Sequence, residues 1–248
     1  MGLVPFASSI KAYILSLFAN QGYRIVSVKD FDPASLDSDS PAFRAQADLI
    51  NLIKPDKLVI YDVGANIGQA YQIYRHLFPG ARIFCFEPFP ESCKALGRLV
   101  ESDCLCSVHQ LALSCHSGLA DFNVNPSSPT NSLLPTAPSS SRFWGEGLLE
   151  TSDVIQVEKT TLDTFMESRL EARISILKLD VQGGEYDVLL GASHLFSSNT
   201  VDIVYLEMII SPTYLEQHPL HDYFRFFSDH GYRFVDFYNS NRTGIILN

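Results

Sequence analysis

Lysine and arginine are scarce in this sequence of 248 residues, where 18 basic side chains face 28 acidic ones and the formal net charge is −10. Phosphate groups are bound mainly by Lys and Arg, so we expect no nucleic acid and no anionic membrane surface among the partners. No apolar run is long enough to cross a bilayer, and the first residues lack the pattern of a signal peptide. We therefore expect no stable membrane insertion and a cytoplasmic location.

Cysteine pairs with metal-binding or redox spacing are also missing. The cysteines are odd in number and fall in one short region, at Cys85, Cys93, Cys104, Cys106 and Cys115. No two of them form a Cys-x-x-Cys pair, and the neighbouring His109 and His116 lack ligand-like spacing with them. We therefore expect free thiols in a reducing compartment and no metal cluster.

The chain is long enough for one large domain or for one domain with an appendage. Strand-like apolar runs occur near residues 58–63, 82–87, 105–113, 174–180 and 201–208. Segments with helical spacing separate these runs, which predicts an α/β fold with a doubly wound, Rossmann-like, mostly parallel sheet. Two closing strands at 232–238 and 243–247 predict an antiparallel terminal hairpin. We expect residues 1–56 to form an N-terminal helical extension, with a helix from Phe43 to Ile53, and residues 57–248 to form the main domain.

A glycine-containing turn follows the first predicted strand. Its pattern is Asp62-x-Gly64-x-Asn66-x-Gly68, and strand, turn and helix in this order bind nucleosides or phosphates in doubly wound domains. A dinucleotide fingerprint requires Gly where Asn66 stands, and a carboxylate at Asp62 would repel a pyrophosphate. A carboxylate at this place suits the cationic amino-acid tail of a ligand or a bound water. A turn that uses Gly only for packing is also compatible with the pattern.

Carboxylates end three of the predicted strands. Glu87 ends the second strand, where it can accept hydrogen bonds from both hydroxyls of a ribose. Asp180 and Glu207 end two later strands, and ligands of such sheets bind at the carboxyl ends of the strands, so we expect these two to face one cleft. A charge at the end of a buried strand is costly unless it is paired or functional. Glu185 starts the next predicted helix, where it could belong to the site or could equally serve as a cap of that helix.

The segment from Pro126 to Phe143 is rich in Ser and Pro and ends in Phe143-Trp144-Gly145. Such a segment could be a mobile loop that closes over a ligand. A plain surface insertion fits the composition as well.

The residues from Ile176 to Glu185, with the sequence Ile-Leu-Lys-Leu-Asp-Val-Gln-Gly-Gly-Glu, and the following 188–192 closely resemble the hallmark segment of FkbM-family methyltransferases. Further segments fit that family in order: Tyr61 to Gly68, Phe86-Glu87-Pro88, Leu111 to Ser114, Asn131 to Leu134, Thr161-Leu162-Asp163 and Leu206-Glu207. The resemblance spans about residues 58–210. It departs from the family pattern at Gly184, where Ala is more usual.

This resemblance implies a class I methyltransferase that transfers a methyl group from S-adenosyl-L-methionine to a hydroxyl of a small-molecule, saccharide or natural-product acceptor. It implies the following cofactor contacts: Asp62 and the backbone of Gly64, Ala65, Asn66 and Gly68 for the methionine part, Glu87 with Pro88 for the ribose, Ala112 and Leu113 for the adenine, and Asp180 at the edge of the site. The acceptor and the oligomeric state stay open.

Methyl transfer to an alcohol requires loss of the hydroxyl proton, which calls for a general base or a metal. Asp180 is the first candidate for the base, and Glu207 would orient the acceptor or share a cation. His221 could serve as base if its segment folds over the site, although a surface position suits it too. Two carboxylates without a nearby His would suit Mg²⁺ but would equally hold sugar hydroxyls, so we assign no metal site.

Two other classes of protein stay open. The glycine spacing argues against an NAD-dependent oxidoreductase, and no tyrosine is followed by Lys four positions later. A non-catalytic nucleoside-binding module, used for protein interaction, would bind the cofactor without turnover. Transfer to nitrogen is disfavoured because no Asn/Asp-Pro-Pro-Tyr/Phe segment follows the strand near 174–180.

Overall fold

The structure is a computed structural model that describes residues 40–238, except 145, 146, 148, 168, 170–172 and the side chain of Phe143. Most of the predicted helical extension therefore lies outside the described residues. The same holds for the second strand of the predicted terminal hairpin, at 243–247.

Five parallel strands form the central sheet: β1 (Val59–Val63), β2 (Arg82–Phe86), β3 (Cys106–His109), β7 (Ile174–Leu179) and β8 (Val201–Leu206). Their order is β3-β2-β1-β7-β8, so the direction of winding reverses between β1 and β7. Every residue of these two central strands is buried, as expected for a parallel sheet covered on both faces. The predicted doubly wound α/β fold is confirmed.

Helices cover both faces of this sheet. The described helices are α1 (Pro41–Ile53), α2 (Gln69–Leu77), α3 (Pro90–Leu99), α4 (Ser141–Trp144), α5 (Leu162–Glu167), α6 (Glu185–Leu190), α7 (Ser193–Ser197) and α8 (Leu220–Asp229). Phe43, Tyr74 and Leu96 pack α1, α2 and α3 into one core cluster, while helices α5 to α8 contribute to another. Among the described residues, no helix is both long and apolar enough to cross a membrane.

Helix α1 confirms the predicted helix over 43–53 and shows why it stops there. It begins at Pro41, whose fixed φ suits the first turn of a helix. It ends where Lys54 takes the left-handed conformation with φ 51°, and Pro55 follows.

A second, smaller sheet lies beside the first and has the order β4-β6-β5. Its strands are β4 (Ala112–Leu113), β5 (Gly118–Val124) and β6 (Asp153–Thr160), of which β5 and β6 are antiparallel. The prediction of one strand over 105–113 is therefore wrong. The amide of Leu111 donates to the His109 carbonyl at 2.9 Å, and this tight turn separates β3 in the first sheet from β4 in the second.

The predicted strand over 232–238 is also wrong, because these residues have no strand structure. Their aromatic side chains contact helices instead. The ring of Tyr232 lies 5.3 Å from that of Phe196 in α7, and the ring of Phe234 lies 5.6 Å from that of Phe224 in α8. Alternating apolar residues thus pack against neighbouring helices here, a pattern that a strand would share.

Candidate active site

The turn after β1 and the end of β7 meet at the point where the strand order reverses. A Cβ atom added to Gly64 would lie 1.8 Å from the carbonyl oxygen of Asp180, and Gly64 has a φ of +76°. The Asp180 amide donates to the Val63 carbonyl at 3.0 Å. Only glycine fits this position, and it brings the turn after β1 directly against the backbone of Asp180, the first candidate base.

The rest of the turn is explained by packing and hydrogen bonding. Gly68 has a φ of +98°, and a Cβ there would lie 2.6 Å from Leu99 and 2.8 Å from Leu96 in α3. Asn66 has a φ of 45°, and its Oδ1 accepts a hydrogen bond from the Ser92 hydroxyl at 2.9 Å. Packing therefore accounts for both glycines, and cofactor contacts from the turn, including those of the buried Ala65, stay a prediction.

Glu87, which directly follows β2, is held by backbone amides. Its Oε2 accepts from the Asn66 amide at 2.8 Å and its Oε1 from the Phe89 amide at 2.8 Å. Only 6% of the residue is exposed. Burial raises the pKa of this carboxyl to about 7, although the two amides act in the opposite direction. A single amide on each oxygen leaves a lone pair on each for a further donor.

Asp62, in β1, has no exposed surface and pairs with Lys178 of β7. Lys178 Nζ lies 2.9 Å from Asp62 Oδ1 and 3.5 Å from Asp180 Oδ2. Burial alone would lower the pKa of Lys178, but attraction to Asp62 and Asp180 outweighs it and the pKa is raised. The predicted contact between Asp62 and the cofactor gains no support from this geometry, because a buried lysine already takes up its charge.

Asp180 and Glu207 follow β7 and β8, and the side chain of Gln182 joins them. The Gln182 amide nitrogen donates to Asp180 Oδ1 at 3.0 Å and to Glu207 Oε2 at 2.6 Å. The Asp180 side chain is 26% exposed. The two carboxylates that the sequence predicts in one cleft therefore do lie together, within reach of a single amide group.

Gln182 is held in turn by two segments that are distant in sequence. The Tyr214 hydroxyl lies 3.1 Å from Gln182 Oε1 and 3.0 Å from the Thr130 carbonyl oxygen. The Ser132 hydroxyl donates to the Gln182 carbonyl at 2.7 Å. Burial raises the pKa of the Tyr214 hydroxyl further above its ordinary value, so it stays a proton donor.

The Ser/Pro-rich segment is attached to residues 211–217 rather than standing alone. The Ala137 amide donates to the Thr213 carbonyl at 2.8 Å, and the Leu215 amide donates to the Pro135 carbonyl at 2.8 Å. The indole of Trp144 adds a bond to the Thr213 hydroxyl at 2.7 Å. The segment thus forms one wall next to Gln182, and its closure over a ligand stays a prediction.

Glu185 is the first residue of α6, and its carboxylate bonds to the turn that precedes this helix. Its carboxylate accepts from the amide of Val181 at 2.9 Å and from that of Gly183 at 3.0 Å. The residue is 1% exposed. Burial raises its pKa to about 7, against the opposing effect of the backbone amides.

The remaining candidates are scattered. His221 in α8 has a side chain that is 69% exposed and lies 3.4 Å from Asp222, and among the described contacts none joins it to Asp180 or Glu207. Ala112 and Leu113 are buried in β4, and Pro88 is partly exposed beside Glu87. The role of His221 as the base therefore stays a prediction. The same holds for Ala112 and Leu113 beside the adenine and for Pro88 beside the ribose.

The residues that the structure describes contain no group of three or more His, Cys, Asp or Glu side chains that could hold a metal ion. The suggestion of Mg²⁺ between Asp180 and Glu207 therefore gains no support. Gln182 occupies the position between the two carboxylates that a cation would take.

Two residues of this network were missed as functional candidates. Lys178 carries a signal in the sequence, because it is a charged residue in a strand whose other residues are uncharged. Gln182 carries none beyond its place after Asp180, because its role depends on contacts with residues 132 and 214.

The sequence matches the family model of the methyltransferase FkbM domain over residues 62–234. It is 29% identical over 147 residues to Methyltransferase 1 of Beauveria bassiana (strain ARSEF 2860), covering 55% of this chain and 59% of that protein. It is 28% identical over 186 residues to 2-O-methyltransferase NoeI of Sinorhizobium fredii (strain NBRC 101917 / NGR234), covering 72% and 74%. Identity to 31-O-demethyl-FK506 methyltransferase FkbM of Streptomyces tacrolimicus is 29% over 153 residues, covering 54% and 58%.

The chain thus spans less than two thirds of the Beauveria and Streptomyces proteins. The match to the family model, by contrast, includes the central sheet from Asp62 in β1 onward. It also includes the carboxylates of Glu87, Asp180 and Glu207. The chain belongs to the family of FkbM-domain methyltransferases.

Proposed function

We propose that the protein is an S-adenosylmethionine-dependent O-methyltransferase that acts on a hydroxyl of a small-molecule, saccharide or natural-product acceptor. The observation that carries the proposal is the close approach of Gly64 to the Asp180 backbone, which brings a partly exposed carboxylate next to the turn that we propose binds the cofactor. Two relatives support transfer to oxygen, because their names specify a 2-O- and a 31-O- position.

The residues at the end of β2 fit the nucleoside part of the cofactor. Glu87 keeps one lone pair on each oxygen after accepting the Asn66 and Phe89 amides, so it can accept both hydroxyls of a ribose. Ala112 and Leu113 would flank the adenine, and the backbone of residues 64–68 would hold the methionine part. When bound, S-adenosylmethionine supplies a methyl group activated by a positively charged sulfur.

The protein's own residues would then have two tasks, which are to accept the proton of the acceptor hydroxyl and to orient the acceptor. Asp180 would accept the proton of the acceptor hydroxyl as the oxygen takes the methyl group. Glu207 would accept a hydrogen bond from the acceptor and fix its angle of approach, since positioning supplies much of the rate in a displacement of this kind.

The test is calorimetric titration with S-adenosylmethionine, S-adenosylhomocysteine and NAD. We expect micromolar binding of the first two and none of NAD, with loss of binding in Glu87→Ala. Glu91→Ala is the matched control, because Glu91 is exposed on α3 and should leave binding unchanged. Binding of NAD alone would overturn the proposal.

Turnover is tested separately by a screen for transfer of a labelled methyl group, beginning with glycosides. Transfer to a hydroxyl is the expected result. Cofactor binding without transfer to any acceptor would favour the alternative of a non-catalytic nucleoside-binding module.

A further inference from the structure

We infer that Gln182 is a positioning residue that keeps Asp180 and Glu207 together as one acceptor-facing pair, an inference that rests on the proposed methyl transfer to a hydroxyl. Both polar atoms of its side-chain amide have partners. Nε2 lies 3.0 Å from Asp180 Oδ1 and 2.6 Å from Glu207 Oε2, and Oε1 lies 3.1 Å from the Tyr214 hydroxyl. A primary amide has two donors, so one residue can serve both carboxylates at once.

The backbone of Gln182 indicates that this arrangement is maintained at a cost. Its φ is 58°, in the left-handed region that residues other than glycine rarely adopt. Such a conformation persists where surrounding contacts enforce it. Here the Ser132 hydroxyl bonds to the Gln182 carbonyl, and a Cβ on the next residue, Gly183, would lie 2.8 Å from the Tyr214 ring.

The charges around the pair show what the amide contributes. Lys178 of β7 lies 3.5 Å from Asp180. Glu185 of α6 interacts electrostatically with Asp180, and so does Tyr205 of β8, which also interacts with Glu207. Tyr214 interacts with all three carboxylates. Apart from Lys178, these neighbours are acids. Gln182 differs from them because it is an uncharged donor to both carboxylates, and such a hydrogen bond favours the ionised form.

The geometry also connects the pair to the Ser/Pro-rich segment. Ser132 lies in the Ser/Pro-rich segment, and Tyr214 lies in the stretch to which that segment is bonded. Both contact Gln182. A change in that wall would therefore reach Asp180 and Glu207 through a single side chain, without a change in the central sheet.

The experiment measures the titration of the two carboxyl groups directly. In protein labelled with ¹³C at the Asp and Glu carboxyl carbons, the signals are assigned with Asp180→Asn and Glu207→Gln. Gln182→Leu removes both donors and keeps an unbranched Cβ, with a side chain one atom shorter. We expect the midpoint of the pair to rise by about one pH unit, the size of one charge-assisted hydrogen bond.

A second variant tests the same inference if Gln182→Leu folds poorly. Gln182→Glu retains an acceptor for Tyr214 and adds a third carboxylate between the other two, so the titration should extend to still higher pH because like charges resist ionisation. In methyl transfer, both variants should move the acid limb of the kcat profile to higher pH. The loss of positioning should also lower kcat on its plateau by about tenfold, with KM for S-adenosylmethionine unchanged.

The matched control is Gln46→Leu. Gln46 is a buried glutamine of α1 whose oxygen likewise accepts from a tyrosine hydroxyl, that of Tyr74 at 2.8 Å, and whose nitrogen donates to the Ala42 carbonyl at 3.1 Å. It should lower stability and leave the carboxyl midpoint in place. An unchanged midpoint in both Gln182 variants, or an equal rise in Gln46→Leu, would overturn the positioning role.

The midpoint needs no acceptor, so it separates the two proposals. A risen midpoint in a protein that methylates nothing would sustain the geometry and count against O-methyl transfer. Methyl transfer to a hydroxyl with unaltered pH profiles in the Gln182 variants would support O-methyl transfer and overturn the positioning role of Gln182.

Discussion

The candidate site lies at the carboxyl ends of the central strands, and its two halves, after β1 and β2 and after β7 and β8, hold their carboxylates by different means. On the β1–β2 side, Glu87 is 6% exposed and accepts two backbone amides that lie close to the end of its strand. On the β7–β8 side, Asp180 is 26% exposed and is held by the side chains of Gln182 and Lys178. The first half is thus fixed by local backbone. The second can change through single side-chain substitutions while the sheet stays intact.

Gly64→Ala should have the largest effect, because it breaks the contact between the two halves. A Cβ at 1.8 Å from the Asp180 carbonyl forces the turn after β1 away from the end of β7, in a left-handed conformation that disfavours alanine. We expect a loss of at least about 4 kcal/mol in the free energy of unfolding, measured in urea. Gly80→Ala, where nothing lies within 4 Å of the added atom, is the control. Equal stability of the two variants would contradict the close contact.

Glu185 tests whether backbone amides and burial also govern a carboxylate on the β7 side. Its pKa is raised to about 7, so the folded protein holds the proton more tightly than the unfolded chain does. The free energy of unfolding should therefore fall as pH rises from the ordinary carboxyl value through about 7, by up to about 3 kcal/mol from this group. Unfolding in urea across this range should show a shallower decline in Glu185→Gln.

Glu87 contributes to the same decline, so some of it should remain in that variant. The exposed Glu101 offers the control substitution Glu101→Gln, which should keep the full decline. Identical pH dependence in wild type and Glu185→Gln would mean that Glu185 ionises in the fold without penalty.

Asp180→Asn removes a charge from the side-chain-held half alone. We expect the fold and S-adenosylmethionine binding to persist while turnover falls by at least about tenfold, since a general base is lost. Calorimetry and labelled-methyl transfer measure the two quantities. Asp56→Asn alters an exposed carboxylate in the loop before β1 and should leave both unchanged. Turnover at the wild-type rate would exclude Asp180 from the mechanism.

The pH dependence of cofactor binding should be the smallest effect, and it belongs to the backbone-held half. Glu87 accepts two ribose hydroxyls only when ionised, and its pKa is about 7. Affinity for S-adenosylhomocysteine should therefore increase by about tenfold between about pH 6 and about pH 8. Calorimetry in matched buffers measures this, and Glu87→Gln should bind weakly at every pH. A wild-type affinity independent of pH would show that the ribose does not depend on the ionised carboxylate.

The same contrast explains which parts of the molecule the sequence predicts. The five parallel strands are apolar runs bounded by turn residues, and their order follows from the rules of α/β winding. The break at Gln110-Leu111 escaped prediction, because it depends on a single amide bonding back to His109. Residues 232–238 show the converse, since alternating aromatic residues suit a strand and a helix-packed segment equally well.

The site divides similarly. The carboxylates Glu87, Asp180 and Glu207 are predictable, because each ends an apolar strand. Asp62 has the same type of side chain and lies in the turn motif, yet its charge is taken up by Lys178 from a neighbouring strand. Gln182 acquires its role only from Ser132 and Tyr214, about 50 and 32 positions away. Pairings across such distances are made by the fold and leave no local pattern.

The second sheet starts and finishes at one place on the molecule. β4 runs parallel to β6 with Leu113 opposite Thr160, and the Ser114 amide bonds to the Thr160 carbonyl at 3.0 Å. A chain that returns to its point of departure can gain or lose length in between without shifting β3 or β7. The two ends of residues 115–159 therefore meet. We predict that exchanging this segment between relatives changes acceptor preference and keeps the affinity for S-adenosylmethionine, which calorimetry would measure.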